Sequence, residues 1–349
     1  MTKFSYSTKE LSDILVKINP HMDTGNFSTN IQSIGLTGAS GFLGLHLISQ
    51  LVELPSVLRI RCFIRSKETF SKRKKMFGLK FNEDKLEFLF EFNESNTKDL
   101  SVFIHSAAQV HNIKKLSTLY GDNVDLTAKV IEQVACPIVY ISTLSVYASS
   151  NIQGLHFPQP CEPSKEHLLY GGYAQSKWLG EHLSSQRNDA KIIRLGLLTP
   201  SIIHSTIQGN EFFCIVLKLL KNFPYCPNEF ENSLVDISPV DLAVKEIIKA
   251  IYSDKKYFHI ANKNPTSITD IIHILNIKPI DELSWHKYTE KLNRIEKILL
   301  NYAYFKSNSL KKYFVYLNID LFQTTGHNWG GEIVVTNLHQ YIWDIHEKV

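Results

Sequence analysis

Several kinds of chemistry have no foothold in this chain of 349 residues. It has no G-x-S-x-G elbow, no H-E-x-x-H helix and no P-loop lysine, so serine hydrolysis, zinc-protease chemistry and P-loop phosphoryl transfer lack their usual residues. It has no uncharged run of about 18 apolar residues, so no bilayer span is expected. Lys9, Glu10, Asp13 and Lys17 interrupt the first apolar stretch, so no signal peptide is expected either. The five cysteines (Cys62, Cys136, Cys161, Cys214, Cys226) form no C-x-x-C pair. That fits a reducing, cytoplasmic compartment better than a disulfide framework or a zinc site. Basic residues exceed acidic ones only by 38 to 34, a net charge of +4, with one dense run from Lys72 to Lys75. This is too little to argue for nucleic acid. The histidines are scattered, His105 reads as a strand-end residue, and no metal is expected.

What is present is an ordinary globular composition, 44% hydrophobic and 21% charged, in a chain too long for one core. Its organising stretch is Ile31 to Gln50, IQSIGLTGASGFLGLHLISQ. A buried strand (Ile34, Leu36) runs through glycines at 38, 41 and 44 into a helix carrying Phe42, Leu43, Leu47 and Ile48. A strand feeding a helix through a turn without bulk leaves the first helical N–H groups open at the positive end of the helix dipole, where a pyrophosphate docks. The cofactor contacts expected from this turn are Thr37, Gly38, Ser40, Gly41, Phe42, Leu43 and Gly44. The spacing, G-x-x-G-x-x-G, is a modified form of the dinucleotide fingerprint.

Around this turn, strands and helices alternate. Residues 1–30 read as an extension with a short amphipathic helix (Leu11, Ile14, Leu15, Ile18). Arg59 to Ile64 is a second strand ending at Arg65, where an acid would bind a ribose 2'-hydroxyl and an arginine accommodates a 2'-phosphate. The acid is missing, and Arg65 is joined by Arg73 on the following helix. Lys85 to Phe90 and Val102 to His105 are the next strands. The latter runs into Ser106, Ala107 and Ala108, small residues that let the backbone pass close to a flat cofactor. Pro137 to Ser142, apolar on both sides, is a central parallel strand, and Lys191 to Leu195 is a sixth. The pattern predicts an α/β doubly wound parallel sheet of Rossmann type over 31–200, with a smaller C-terminal substrate lobe over 201–349 from which 233–275 returns to the sheet.

Tyr173 and Lys177 stand four apart in GGYAQSKWLGEHL, on one face of a helix. A neighbouring ammonium is expected to lower the phenol's pKa, which suits proton exchange with a substrate oxygen. Tyr252 with Lys256 and Tyr302 with Lys306 share the spacing, so spacing alone decides nothing. Only the first pair follows, by about 30 residues, a buried strand ending in Ser142 and Thr143 and lies downstream of the glycine turn. Tyr173 and Lys177 are therefore the expected catalytic pair, with the Ser142 and Thr143 hydroxyls emerging at the strand end beside them and Ser142 and His111 as candidates to line the substrate site.

The glycine turn, the SAA after the fourth strand, the strand-end Ser-Thr and the Y-x-x-x-K together resemble the extended short-chain dehydrogenase/reductase family over roughly Ile31 to Leu275. LTGASGFLG, IHSAAQV, Asn123-Val124, YISTLSVY and above all GYAQSKWLGE resemble its thioester reductase branch, which comprises the terminal domains of nonribosomal peptide and polyketide synthetases and of carboxylic acid reductases. The chain departs from that branch in having EFNES where Gly-Asp is usual and RLGLLTPS where R-P-G-x-x-x-G is usual. The resemblance implies Thr143, Tyr173 and Lys177 as the catalytic set and NADPH as cofactor, with Arg65 and Arg73 on its 2'-phosphate and Lys177 on the nicotinamide ribose. It also implies reduction of an acyl or peptidyl thioester, held on a carrier protein supplied in trans or on coenzyme A, to an aldehyde or alcohol. Two other readings remain open: a different extended reductase, such as a nucleotide-sugar epimerase or hydroxysteroid-type dehydrogenase, and a cofactor-binding sensor without turnover.

Overall fold

The structure is a computed structural model that describes residues 5–15, 17–18, 20, 27, 30–111, 114–152, 158–203, 212–229, 234–262, 264–297, 300, 332–333 and 335–349. Its centre is a parallel sheet whose strands we number β1 (Ser33–Thr37), β2 (Arg59–Phe63), β3 (Leu86–Leu89), β4 (Val102–His105), β5 (Ile138–Thr143), β6 (Ala190–Leu195), β7 (Tyr257–Asn262) and β8 (Glu332–Ile333). The order across the sheet is β3-β2-β1-β4-β5-β6-β7-β8. The reversal between β1 and β4 puts a crevice at their carboxyl ends, where ligands bind in sheets of this kind.

Side chains alternate along the strands between two cores. Ile34 and Leu36 of β1, Val102 and Ile104 of β4, and Val139 and Ile141 of β5 join one cluster with helices α1 (Phe42–Leu51), α2 (Lys67–Met76) and, later in the chain, Val240–Tyr252. Phe103 and Ile138 join a second with α3 (Leu126–Gln133) and α4 (Gly172–Ser185) through Val130, Ile131, Trp178 and Leu183. A third cluster, with Phe213, Leu217, Trp285 and Ile342, unites the later helices, among them Phe212–Asn222 and Leu338–Lys348. No described helix is long and apolar enough to cross a membrane.

β5 and β6 are buried at every position, although β6 carries Lys191 and Arg194. Three residues apart on a strand, the two cations leave on opposite faces. Lys191 Nζ donates to the carbonyls of Ala250 and Ile251 at 3.3 and 2.7 Å, closing the carboxyl end of helix Val240–Tyr252. Arg194 pairs with Glu181 of α4.

Of the two returns to the sheet expected between 233 and 275, Tyr257–Asn262 joins it beside β6. The earlier one does not. Leu234–Val235 pairs with Thr266–Ser267, and Ser238–Pro239 with Leu198–Thr199, outside the main sheet. Stretches of two residues carry no periodicity that a sequence could show.

The N-terminal segment is built into the molecule. Ser5–Ser7 pairs antiparallel with Leu168–Tyr170, immediately before α4. The amide of Thr8 donates to the His167 carbonyl at 2.8 Å. Ser7 and Glu10 close a capping box at the start of helix Thr8–Asp13, which lays Leu11, fully buried, into the cluster that holds Trp178. Leu11→Ala should therefore cost about 2–5 kcal/mol, the usual cost of a leucine truncated in a core. Denaturant unfolding measures this, and a change below about 0.5 kcal/mol, the scale of ordinary surface substitutions, would show that the segment is peripheral.

Candidate active site

The glycine turn has separable physical requirements. Gly38 has φ +72°, a left-handed conformation that favours glycine. A Cβ on Gly44 would lie 2.1 Å from the Gly38 carbonyl oxygen, so α1 closes on the turn only with glycine there. Gly41 stands at the N-cap without a side-chain cap, leaving the first amides of α1 with no capping side chain. Residues of this kind fit a pyrophosphate. Thr37, in contrast to the expectation of a cofactor contact, turns its hydroxyl inward to His105 Nδ1 at 2.7 Å, and its carbonyl accepts from Ser106 Oγ at 2.8 Å. Ser106, Ala107 and Ala108 are part-buried at the end of β4, and Ala107 and Ser106 abut the turn at Gly38. Phe42 and Leu43, part-buried, open α1.

The two arginines flank the turn. Arg65 is exposed just past the end of β2, with no hydrogen bond or ion pair among the described residues. Arg73, on α2, donates to the Ser40 carbonyl at 3.1 Å. The Phe42 ring lies 5.3 Å from Phe77, at the end of α2, which ties that helix to α1.

At the far end of the crevice, β5 delivers Thr143 and α4 delivers Tyr173 and Lys177. Burial pushes the Tyr173 phenol up to about 12, with a hydrogen bond to the Thr143 hydroxyl acting the other way. The expected lowering by the lysine is absent: burial and the Thr143 hydroxyl are the influences on the phenol. Burial pushes the Lys177 ammonium down to about 7, with Glu181 opposing, and its Nζ lies 4.1 Å from the centre of the Tyr140 ring. At neutral pH the phenol is protonated and the lysine is poised between its two forms.

Other candidates lie elsewhere. Ser142, expected to face substrate, is buried and donates its hydroxyl to Glu181 at 2.5 Å, so it belongs to the framework beneath the site. His111 is exposed on the loop after β4. Tyr252 ends its helix, and Lys256 lies beyond that helix with its Nζ on the Arg187 carbonyl at 3.0 Å. That pair does not share a helical face. Tyr302 and Lys306 lie outside the described residues.

Two residues of structural consequence were visible in the sequence only through the resemblance. Asn123 sits in a π-helical turn, Gly121–Asp125. Its amide accepts from Gln109 N at 2.7 Å and donates to Ser176 Oγ at 2.9 Å. Ser176 in turn donates to the Tyr173 carbonyl at 2.8 Å. Glu181 holds Arg194 in a two-pronged pair at 2.9 and 2.7 Å. No periodicity distinguishes a buried Glu or Asn from an exposed one.

Sheet order, glycine turn and the cluster of Thr143, Tyr173 and Lys177 define an extended short-chain dehydrogenase/reductase. A family model described as "Male sterility protein", an NAD(P)-binding family, matches residues 36–89 and 81–247, and the chain belongs to that family. It is 26% identical over 292 residues to the nonribosomal peptide synthetase asaC of Aspergillus flavus, covering 73% of this chain and 27% of that protein. It is also 26% identical over 278 residues to the aldehyde reductase lnbA of Aspergillus flavus, covering 68% of this chain and 27% of that protein. The chain thus spans about a quarter of the length of these relatives. The terminal R domain from the myxalamid PKS-NRPS biosynthetic pathway superimposes with a TM-score of 0.75 at 20% identity, covering 98% of this chain and 97% of that one.

Gly44→Ala tests the turn. The added methyl meets a backbone oxygen that cannot move without opening the turn, so affinity for the nicotinamide dinucleotide should fall more than about ten-fold, equivalent to about 1.4 kcal/mol. Cofactor fluorescence titration measures this, and unchanged affinity would place the dinucleotide away from α1.

Proposed function

We propose that this protein is an NADPH-dependent reductase of acyl or peptidyl thioesters, carried on the phosphopantetheine arm of a carrier protein or on coenzyme A, releasing an aldehyde or alcohol. The observation that supports this reading best is the convergence of Thr143, Tyr173 and Lys177 at the carboxyl end of β5 in a chain of the thioester reductase branch. When bound, NADPH supplies a hydride to the thioester carbonyl carbon. The residues do the rest. Tyr173, protonated at neutral pH because it is buried, donates to the carbonyl oxygen as that oxygen gains charge, and the Thr143 hydroxyl supplies a second donor. Lys177 would hold the nicotinamide ribose. The hemithioacetal formed from the substrate then expels its thiol, leaving an aldehyde that a second reduction converts to an alcohol.

A panel of acyl thioesters on pantetheine mimics should drive NADPH oxidation. Tyr173→Phe should abolish it with cofactor affinity nearly unchanged, while Tyr252→Phe, on a tyrosine whose hydroxyl meets that of Ser56 at 3.3 Å, should behave as the wild type. Turnover of a nucleotide sugar or hydroxysteroid, with none of the thioesters, would overturn the reading.

The cofactor preference rests on charge. A 2'-phosphate beside Arg65 and Arg73 gains charge-assisted, often bidentate contacts, and no carboxylate stands at the tip of β2 to take a 2'-hydroxyl. If the contact contributes about 1.5–3 kcal/mol, NADPH is preferred over NADH by roughly ten- to a hundred-fold. Arg65→Ala should weaken NADPH and leave NADH little affected. Equal dissociation constants for the two cofactors in the wild type would show that Arg65 serves another purpose.

A further inference from the structure

Tyr173, Lys177 and Glu181 lie at successive four-residue steps along α4, so the three side chains form one stripe. The first two have roles above. Glu181 has none, yet it is more tightly held than either. It is 4% exposed. Arg194 Nε and Nη2 donate to its two oxygens at 2.9 and 2.7 Å, and the Ser142 hydroxyl donates to one of them at 2.5 Å. Arg194 is itself fixed by the Gln159 carbonyl at 3.0 Å and by His259 Nε2 at 3.1 Å, with its guanidinium 5.1 Å from the Tyr147 ring. The carboxylate is therefore fixed, one turn along α4 from Lys177 and on the same helical face.

We propose that Glu181, locked by Arg194 and Ser142, is a positioning residue that serves as the buried counter-charge of Lys177, keeping its ammonium protonated and in place for the reduction. This rests on the thioester-reductase reading above for the reaction it serves, but not for the electrostatics.

The other groups around Lys177 cannot take over that duty. From β5, Tyr140 offers its ring face and its phenol stays protonated, its pKa raised by burial first and then by Glu181, and Thr143 is neutral. From β4, His105 is neutral, its pKa pushed down to about 3 by burial and by Lys177 itself. From α4, Tyr173 is protonated at neutral pH. From the π-helical turn and α3, Asn123 and Thr127 are uncharged, and β6 supplies Arg194, a second cation. Among these groups Glu181 carries the one negative charge. Burial alone drives Lys177 toward the amine, and Glu181 is the influence opposing it.

The sign of the expected effect follows. Lys177, with a pKa of about 7, is an ammonium below that pH and an amine above it. Removing the carboxylate's charge lowers the value further, so the alkaline limb of activity moves to lower pH by roughly one to three units, the range typical for a close opposite charge.

Glu181→Gln tests this directly. Because it leaves the buried Arg194 without its opposite charge, which is destabilising, the double variant Glu181→Gln with Arg194→Met, which removes both charges, is measured beside it. Two readouts are taken. The first is the titration of the Lys177 side chain by NMR of isotope-labelled lysine, assigned by its loss in Lys177→Met. The second is the pH profile of kcat/KM with acyl thioester and NADPH. In Glu181→Gln the Lys177 titration and the alkaline limb should both move to lower pH, with activity kept only below the shifted limb; the double variant, which also loses a cation, should move less in the same direction, and Glu181→Asp should fall between Glu181→Gln and the wild type. A uniform loss of activity at every pH, with the Lys177 titration unmoved, would overturn the proposal and leave Glu181 as packing. The NMR titration needs no substrate, so a wild type inactive on thioesters would count against the function proposed above and leave this question to be decided separately.

Discussion

Helix α4 can present Tyr173 and Lys177 to the end of β5 only because its own glycines let it close on its neighbours. A Cβ on Gly180 would lie 2.0 Å from the Tyr140 hydroxyl, and one on Gly172 would lie 2.3 Å from the backbone nitrogen of Leu116. Gly171, with φ +81°, turns the chain into the helix. The approach is reinforced from the other side, where Ser5–Ser7 pairs with Leu168–Tyr170 and fixes the chain just before that turn. Placement of the phenol thus follows from backbone proximity, and its high pKa follows from the burial that the same proximity creates.

That chain of causes explains which parts could be read in advance. The central strands β4 and β5 carry continuous apolar runs, Val102 to Ile104 and Ile138 to Ile141, because both faces are covered, and such runs are the plainest signal a sequence carries for a parallel sheet. The glycine turn was readable because strand, turn and helix are contiguous. Ser5–Ser7 was not, since its partner lies over 160 positions away and three residues show no period. Leu234–Val235 and Ser238–Pro239 were assigned to the main sheet and lie outside it for the same reason. Ser142 and Thr37 are hydroxyls at strand ends, and sequence alone does not say whether such a group faces the crevice or a buried partner. In the structure Glu181 and His105 claim them.

The interior is more highly charged than its sequence pattern suggests. Lys191, Arg194, Glu181 and Lys177 are each less than about a twentieth exposed, and isolated charges at such depth would be expensive. Each has a different solution. Lys191 closes a helix end through its carbonyls, Arg194 and Glu181 form a two-pronged pair, and Lys177 rests on an aromatic face. Arg194 and Glu181 join β6 to α4, and Lys191 joins β6 to the helix on the opposite face of the sheet. The sheet is therefore tied to both layers by directional contacts as well as by apolar packing, and these ties fix the register of α4 against β5 more narrowly than interchangeable leucines would.

A second set of polar contacts runs across the crevice without any charge. Thr37 bonds His105, whose Nε2 lies 3.0 Å from the Thr127 hydroxyl. Thr127 donates to the Asn123 carbonyl at 2.6 Å, Asn123 to Ser176, and Ser176 to the Tyr173 carbonyl. His105 can take part because burial and the nearby Lys177 keep it neutral. A protonated imidazole would be a donor at both nitrogens and would set a second cation against Lys177. Neutral, it joins the end of the glycine turn to the helix that carries the phenol, so the two ends of the crevice are held at a fixed separation. The spacing between them is then a property of the hydrogen-bonded framework, and a cofactor of matching length would reach Tyr173 without that framework having to move.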